Sequence, residues 1–111
     1  MIARMVQVTT KPGQLQEFVK TMAERNLPIL KQQRGFVDAV VLTSDTQRDQ
    51  FVGIAIWKSK KDAEEYANGQ GRQVLEAMRP LLEKMPTIRT FNVAASTAYN
   101  IGIGRAASST S

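Results

Sequence analysis

The apolar positions of this 111-residue chain change period several times, and each change marks a new element. Ile2 to Thr10 alternates with a period of two, as a strand does. Arg4, Val6 and Val8 share one face, and Ala3, Met5, Gln7 and Thr9 share the other. Lys11-Pro12-Gly13 then reads as a turn. Beyond it Leu15, Phe18, Val19 and Met22 fall at i, i+3, i+4 and i+7, an apolar stripe about 100° wide on a helix. Pro28 lacks a backbone donor and crowds the turn before it, so a kink or break is expected there. A last turn through Ile29 and Leu30 runs to Arg34, and Gly35 stops it.

Phe36 to Ser44, rich in β-branched residues, and Gln50 to Trp57 flank a polar turn and predict an antiparallel hairpin. Ser59 caps the next helix, with Asp62 three residues on in a weak form of the capping box. Asn68-Gly69-Gln70-Gly71 interrupts that helix. Val74, Leu75, Met78, Leu81, Leu82 and Met85 then resume helical spacing, with Pro80 inside the run and Pro86 ending it. Ile88 to Ile101 is expected to form a long final strand. Residues 102–111 are expected to be a small-residue tail outside a single domain of residues 1–101. Strand, helix, strand, strand, helix pair, strand is the split βαβ order of a ferredoxin-like α+β sandwich. Helices cover only one face of such a sheet. Val6 and Val8 are expected on the other face, where a second copy across a twofold axis would bury them.

Composition narrows the function classes. Hydrophobic residues make up 42% of the chain, enough for one globular core. There is no histidine and no cysteine, which removes disulfides, thiolate metal sites and imidazole chemistry. The net charge of +5 comes from 15 basic and 10 acidic residues. The basic residues are spread along the chain; only Lys58, Lys60 and Lys61 cluster, and Asp62, Glu64 and Glu65 follow at once. That is a solvated helix face, so no nucleic-acid partner is expected, although attraction for a small anion stays open. No apolar run approaches the roughly 18 residues of a membrane span, and no basic-then-apolar leader opens the chain. No membrane partner and a cytoplasmic location are expected. Paired carboxylates, a phosphate loop, a nucleophile triad and metal-ligand spacing are all missing from the pattern.

The order of elements, Lys11-Pro12-Gly13 after the first strand, Pro28 ahead of Gly35-Phe36, Ile54-Ala55-Ile56-Trp57 followed by Lys58-Ser59, and the Asn68-Gly69 break together resemble the antibiotic-biosynthesis-monooxygenase-like family. The likeness runs over residues 1–101. It implies a homodimeric α+β barrel whose pockets lie between each sheet and its own helices. Trp57-Lys58-Ser59-Lys60, Ala67-Asn68-Gly69 and Tyr99-Asn100-Ile101-Gly102 are also similar to the family's haem-degrading branch. That branch needs a histidine where this chain has Leu75, and leucine has no lone pair for iron, so haem degradation is disfavoured. The branch's first-strand asparagine corresponds to Gln7, and its helix tryptophan to Tyr66. The branch that oxygenates phenols or hydroquinols without a cofactor is the better analogy, although the asparagine used by its polyketide-oxidising members falls on Gly53.

The resemblance therefore implies a cofactor-independent monooxygenase for a small aromatic or quinol. The alternative is a non-catalytic or stress-associated dimer that holds a small apolar ligand. Expected substrate-binding residues are Gln7, Trp57, Tyr66 and Met78; no catalytic residue is assigned, and no metal or cofactor is expected. Each has a plainer reading: Trp57 as strand-end core, Gln7 on a solvent-facing edge, Tyr66 as a surface tyrosine, Met78 as core filler. Arg79 and Arg89 are candidates to steady an anionic substrate, or else solvated. Asp38 is either a base or an outward-facing strand residue.

Overall fold

The computed structural model of the protein describes residues 1–99 and 101; Asn100 and the expected tail at 102–111 lie outside them. Four antiparallel strands form one sheet in the order β2-β3-β1-β4. They are β1 (Ile2–Thr9), β2 (Phe36–Thr43), β3 (Gln50–Trp57) and β4 (Thr87–Asn92). Between them run α1 (Leu15–Thr21), a π-helical turn (Met22–Asn26), α2 (Leu27–Lys31), α3 (Lys60–Asn68), α4 (Gln70–Met78) and a 3₁₀ turn (Arg79–Leu81). This is the expected α+β ferredoxin-like arrangement. The last strand is shorter than its sequence suggests and stops at Asn92, where Val93 N–H donates to the Met1 carbonyl at 3.0 Å. No helix among the described residues is long and apolar enough to cross a membrane.

Pro28 neither breaks the helix nor ends it. The chain stays helical through Met22–Asn26 but widens to i+5 bonding, with the Leu27 N–H donating to the Met22 carbonyl. A wide turn relieves the crowding a proline ring causes one turn back, so the helix continues into α2 with Pro28 in its first turn. The same turn carries the buried Asn26. Gly35 closes the next corner at φ +78°, and its carbonyl accepts from Lys58 N–H at 2.8 Å. A Cβ there would stand 2.1 Å from the Asp62 carboxylate, so this corner excludes any side chain. Ser59 caps α3 as expected: its hydroxyl oxygen accepts from Asp62 N–H at 3.1 Å, a bond worth about 1 kcal/mol.

Register decides which sheet face meets the helices. Arg4 pairs with Ala55, Val6 with Gly53 and Val8 with Phe51. Val8 and Phe51 are buried against Phe18, Met78 and Leu82, with the Phe18 and Phe51 rings edge-on at 4.7 Å. The helix side is therefore the Arg4-Val6-Val8 face, the reverse of the sequence expectation. A β-bulge between Phe36 and Asp38 turns Ala39 towards that side and Asp38 away from it. A second cluster joins Leu30, Trp57, Ala63 and Tyr66.

The opposite face is apolar and largely open, as expected, but with other residues, and Tyr99 reaches Asp38 at its β2 edge. Met5, Val52, Ile54 and Ile56 lie at its centre by register, flanked by Val40 (47% exposed), Leu42 (44%) and Phe91 (49%). Gln7 belongs to this face, opposite Val52, and is exposed.

Candidate functional site

A cavity of about 340 Å³ opens between the two core clusters and is lined by members of both. Its volume is at the small end of the range for small-molecule sites, about 300–1,000 Å³. Strand β1 contributes Arg4, Val6 and Val8; β3 contributes Phe51, Gly53, Ala55 and Trp57. The helices close it with Phe18, Met22, Leu27 and Leu30 on one side and Tyr66, Val74, Leu75 and Met78 on the other. Three of the four expected residues, Trp57, Tyr66 and Met78, thus meet in one wall. Gln7 does not, because it points from the far face of the sheet.

Trp57 is fully buried, with Phe36 edge-on at 5.7 Å and the Tyr66 ring 5.4 Å away at a tilt of 32°. Its indole N–H is buried with no acceptor among the described residues. A buried donor with no partner is uncommon. The Tyr66 hydroxyl is not free: it donates to Asn26 Oδ1 at 2.5 Å. Asn26 is carried by the π turn, and Gly71 leaves room for the ring, since a Cβ there would come within 2.7 Å of Tyr66 Cε2. Burial pushes the Tyr66 hydroxyl above the usual tyrosine range, against the opposing pull of the Asn26 bond and the Arg4 charge.

Tyr66→Phe is expected to cost about 1–3 kcal/mol, because Asn26 Oδ1 is left buried without its donor. Because the folded protein holds Tyr66 neutral more firmly than the unfolded chain does, its contribution is complete below about pH 10 and is lost as pH climbs through the raised value. Urea unfolding at pH 8 and pH 11 checks both points. The gap between wild type and Tyr66→Phe should narrow at the higher pH; an unchanged gap would contradict the assignment.

Among the described residues only two charged ones line the cavity, Arg4 and Arg72, and no Asp or Glu does. Arg72 is exposed, at the rim on α4. Arg4 is half-buried, and desolvation holds its guanidinium below the usual arginine range, offset in part by Tyr66. It makes no ion pair or side-chain hydrogen bond among the described residues. The sequence reading missed Arg4 because it assigned its strand face to the outside. The arginines it did single out are elsewhere: Arg79 pairs with Glu76 at 3.1 Å on the surface, and Arg89 is on the open sheet face opposite Met5. Asp38 is exposed, accepting from Ala39 N–H at 2.8 Å and from the Tyr99 hydroxyl, and does not line the cavity. Met85, expected in the helical stripe, is exposed because α4 ends at Met78. Among the described residues no three His, Cys, Asp or Glu side chains gather as metal ligands.

A family model described as antibiotic biosynthesis monooxygenase matches residues 1–74. No curated protein sequence matches the chain. Among solved structures, a Nitrosomonas europaea protein of unknown function is 23% identical with a TM-score of 0.76, over 86% of this chain and 91% of its own. SnoaB from Streptomyces nogalater, described as a cofactor-independent oxygenase, is 21% identical with a TM-score of 0.74, over 86% and 95%. A conserved protein from Methanosarcina mazei is 16% identical with a TM-score of 0.72, over 83% and 92%. At these identities the likeness establishes the shared fold.

Proposed function

The chain belongs to the antibiotic biosynthesis monooxygenase family, and from that membership we propose that it is a cofactor-independent monooxygenase acting on a small aromatic or quinol substrate in the cavity between sheet and helices. The observation that carries this reading is the cavity itself, apolar over most of its wall and bounded by the stacked pair Trp57 and Tyr66. In chemistry of this kind the electrons come from the substrate. For an anthrone-like ring the net change is CH₂ + O₂ → C=O + H₂O, so the substrate supplies all the electrons that dioxygen takes up. The protein's part is to orient the ring, exclude water and hold the substrate's oxygen. Trp57, Tyr66, Phe51 and Met78 form the apolar wall against which the ring packs. Among the described residues no carboxylate or imidazole lines the cavity, which favours a substrate acidic enough to lose its proton to water.

The same reading makes the protein a homodimer, located in the cytoplasm, with the open sheet face packed against its copy. Seven apolar residues on that face, three of them nearly half exposed, support it. Oxygen uptake with a panel of hydroquinols and anthrone-like phenols tests the activity. Turnover lost in variants of the cavity wall is the expected result; no turnover by folded protein would count against the enzyme. A second reading, a dimer that holds a small apolar ligand without turnover, is favoured by Gly53. That residue stands in the cavity floor, at the place where polyketide-oxidising relatives are expected to carry an asparagine.

A further inference from the structure

Arg4 is a half-buried cation that forms no ion pair among the described residues. Across the strands it is flanked by Ala55 and Thr90, and Val6, Trp57 and Tyr66 line the same cavity. A guanidinium withdrawn from water normally recovers that loss through a carboxylate or several acceptors. Glu64 shares a small outer crevice with Arg4, Lys60 and Thr90 but forms its ion pair with Lys60 at 3.9 Å. The Tyr66 hydroxyl, whose oxygen could accept, is turned to Asn26 as a donor. Arg4 therefore keeps a planar set of donors free at the cavity wall. A neutral ligand would leave the charge uncompensated. A ligand with an acidic oxygen would not.

We propose that Arg4 selects the ligand of this cavity by charge, so that the protein takes aromatic anions, with a carboxylate or phenolate oxygen at the guanidinium and the ring against Trp57 and Tyr66. This rests on the cavity being the ligand site, as the reading above has it, but not on turnover. A carboxylate fits the guanidinium as a two-pronged acceptor, and a phenolate as a single one. The rim residue Arg72 adds to the attraction but is exposed to water, where a charge is screened and contributes little.

Calorimetric titration of the purified protein with 1-naphthoate and with 1-naphthamide, which differ in charge but hardly in shape, tests the proposal. The naphthoate is expected to bind at least about tenfold more tightly. Arg4→Gln should bring the two within about twofold of each other, Arg4→Lys should keep part of the preference, and Arg72→Gln should keep most of it. Equal affinities in the wild type, binding of neither compound, or an undiminished preference in folded Arg4→Gln would each overturn the proposal. The wild-type comparison requires no variant, so a misfolded Arg4→Gln does not shield it. If the naphthoate preference holds while oxygen uptake is absent, the oxygenase reading fails and the anion site stands; turnover of phenols without the preference gives the reverse.

Discussion

Trp57→Ala is expected to destabilise the protein by about 3–5 kcal/mol, the range for deleting a large buried aromatic. Trp57 is the largest fully buried side chain, at 0% exposure, and it contacts both Phe36 and Tyr66. Those ring pairs contribute about 0.5–1.5 kcal/mol each beyond the area they bury. The removed indole would also merge its volume with the neighbouring cavity, so the site has little to collapse onto. Trp57→Phe should cost much less, because the indole N–H has no partner to lose. Urea unfolding followed by circular dichroism checks both. A loss below about 1 kcal/mol for the alanine variant would show that the ring is not a structural wall of the cavity.

The second large effect belongs to the open sheet face. Leu42 and Phe91 are exposed on opposite sides of it, so glutamate at either position leaves the folded monomer nearly untouched. In a dimer each would place a carboxylate in the interface. At about 2 kcal/mol per disrupted anchor, with each substitution present twice in a twofold dimer, each weakens association about a thousandfold, and Leu42→Glu with Phe91→Glu together about a millionfold if the effects add. Light scattering with size exclusion should find a wild-type dimer at micromolar concentration and a monomeric double variant with an unchanged circular dichroism spectrum. A monomeric wild type, or a double variant that stays dimeric, would remove the dimer from the proposed function.

Much of the fold was legible because each element carried its own local signal. The period-two runs, the Leu15-Phe18-Val19-Met22 stripe and the Ser59 cap all matched the structure. The two faces of β1 were not separable in the same way. Its alternation gives Val6 and Val8 on one side and Ala3 and Met5 on the other, and both sides hold polar residues, Arg4 on one and Gln7 and Thr9 on the other. When both faces of a sheet are apolar, period alone cannot say which one the helices cover. Choosing the wrong face sent Gln7 into the cavity on paper and Arg4 out of it. The aromatic wall survived this error, because Trp57 and Tyr66 were placed by the strand end and the helix cap rather than by the β1 faces. Asn26 lies at i+4 from Met22 and i+7 from Val19, in line with the apolar stripe, so its burial was legible in the spacing; the π turn that carries it and its bond to Tyr66 were not.

That turn also separates the two halves of the first helical segment. A regular helix locks the angular position of every residue to the one before it, so any insertion rotates the whole remainder by about 100°. Here one surplus residue is stored at Met22–Asn26, and the phase is reset there. Phe18 can stay on the sheet in α1 while Leu30 finds the Trp57 cluster in α2, although the two are not on a common helical stripe. The facing of α2 is thereby set by the turn and not by the stripe of α1.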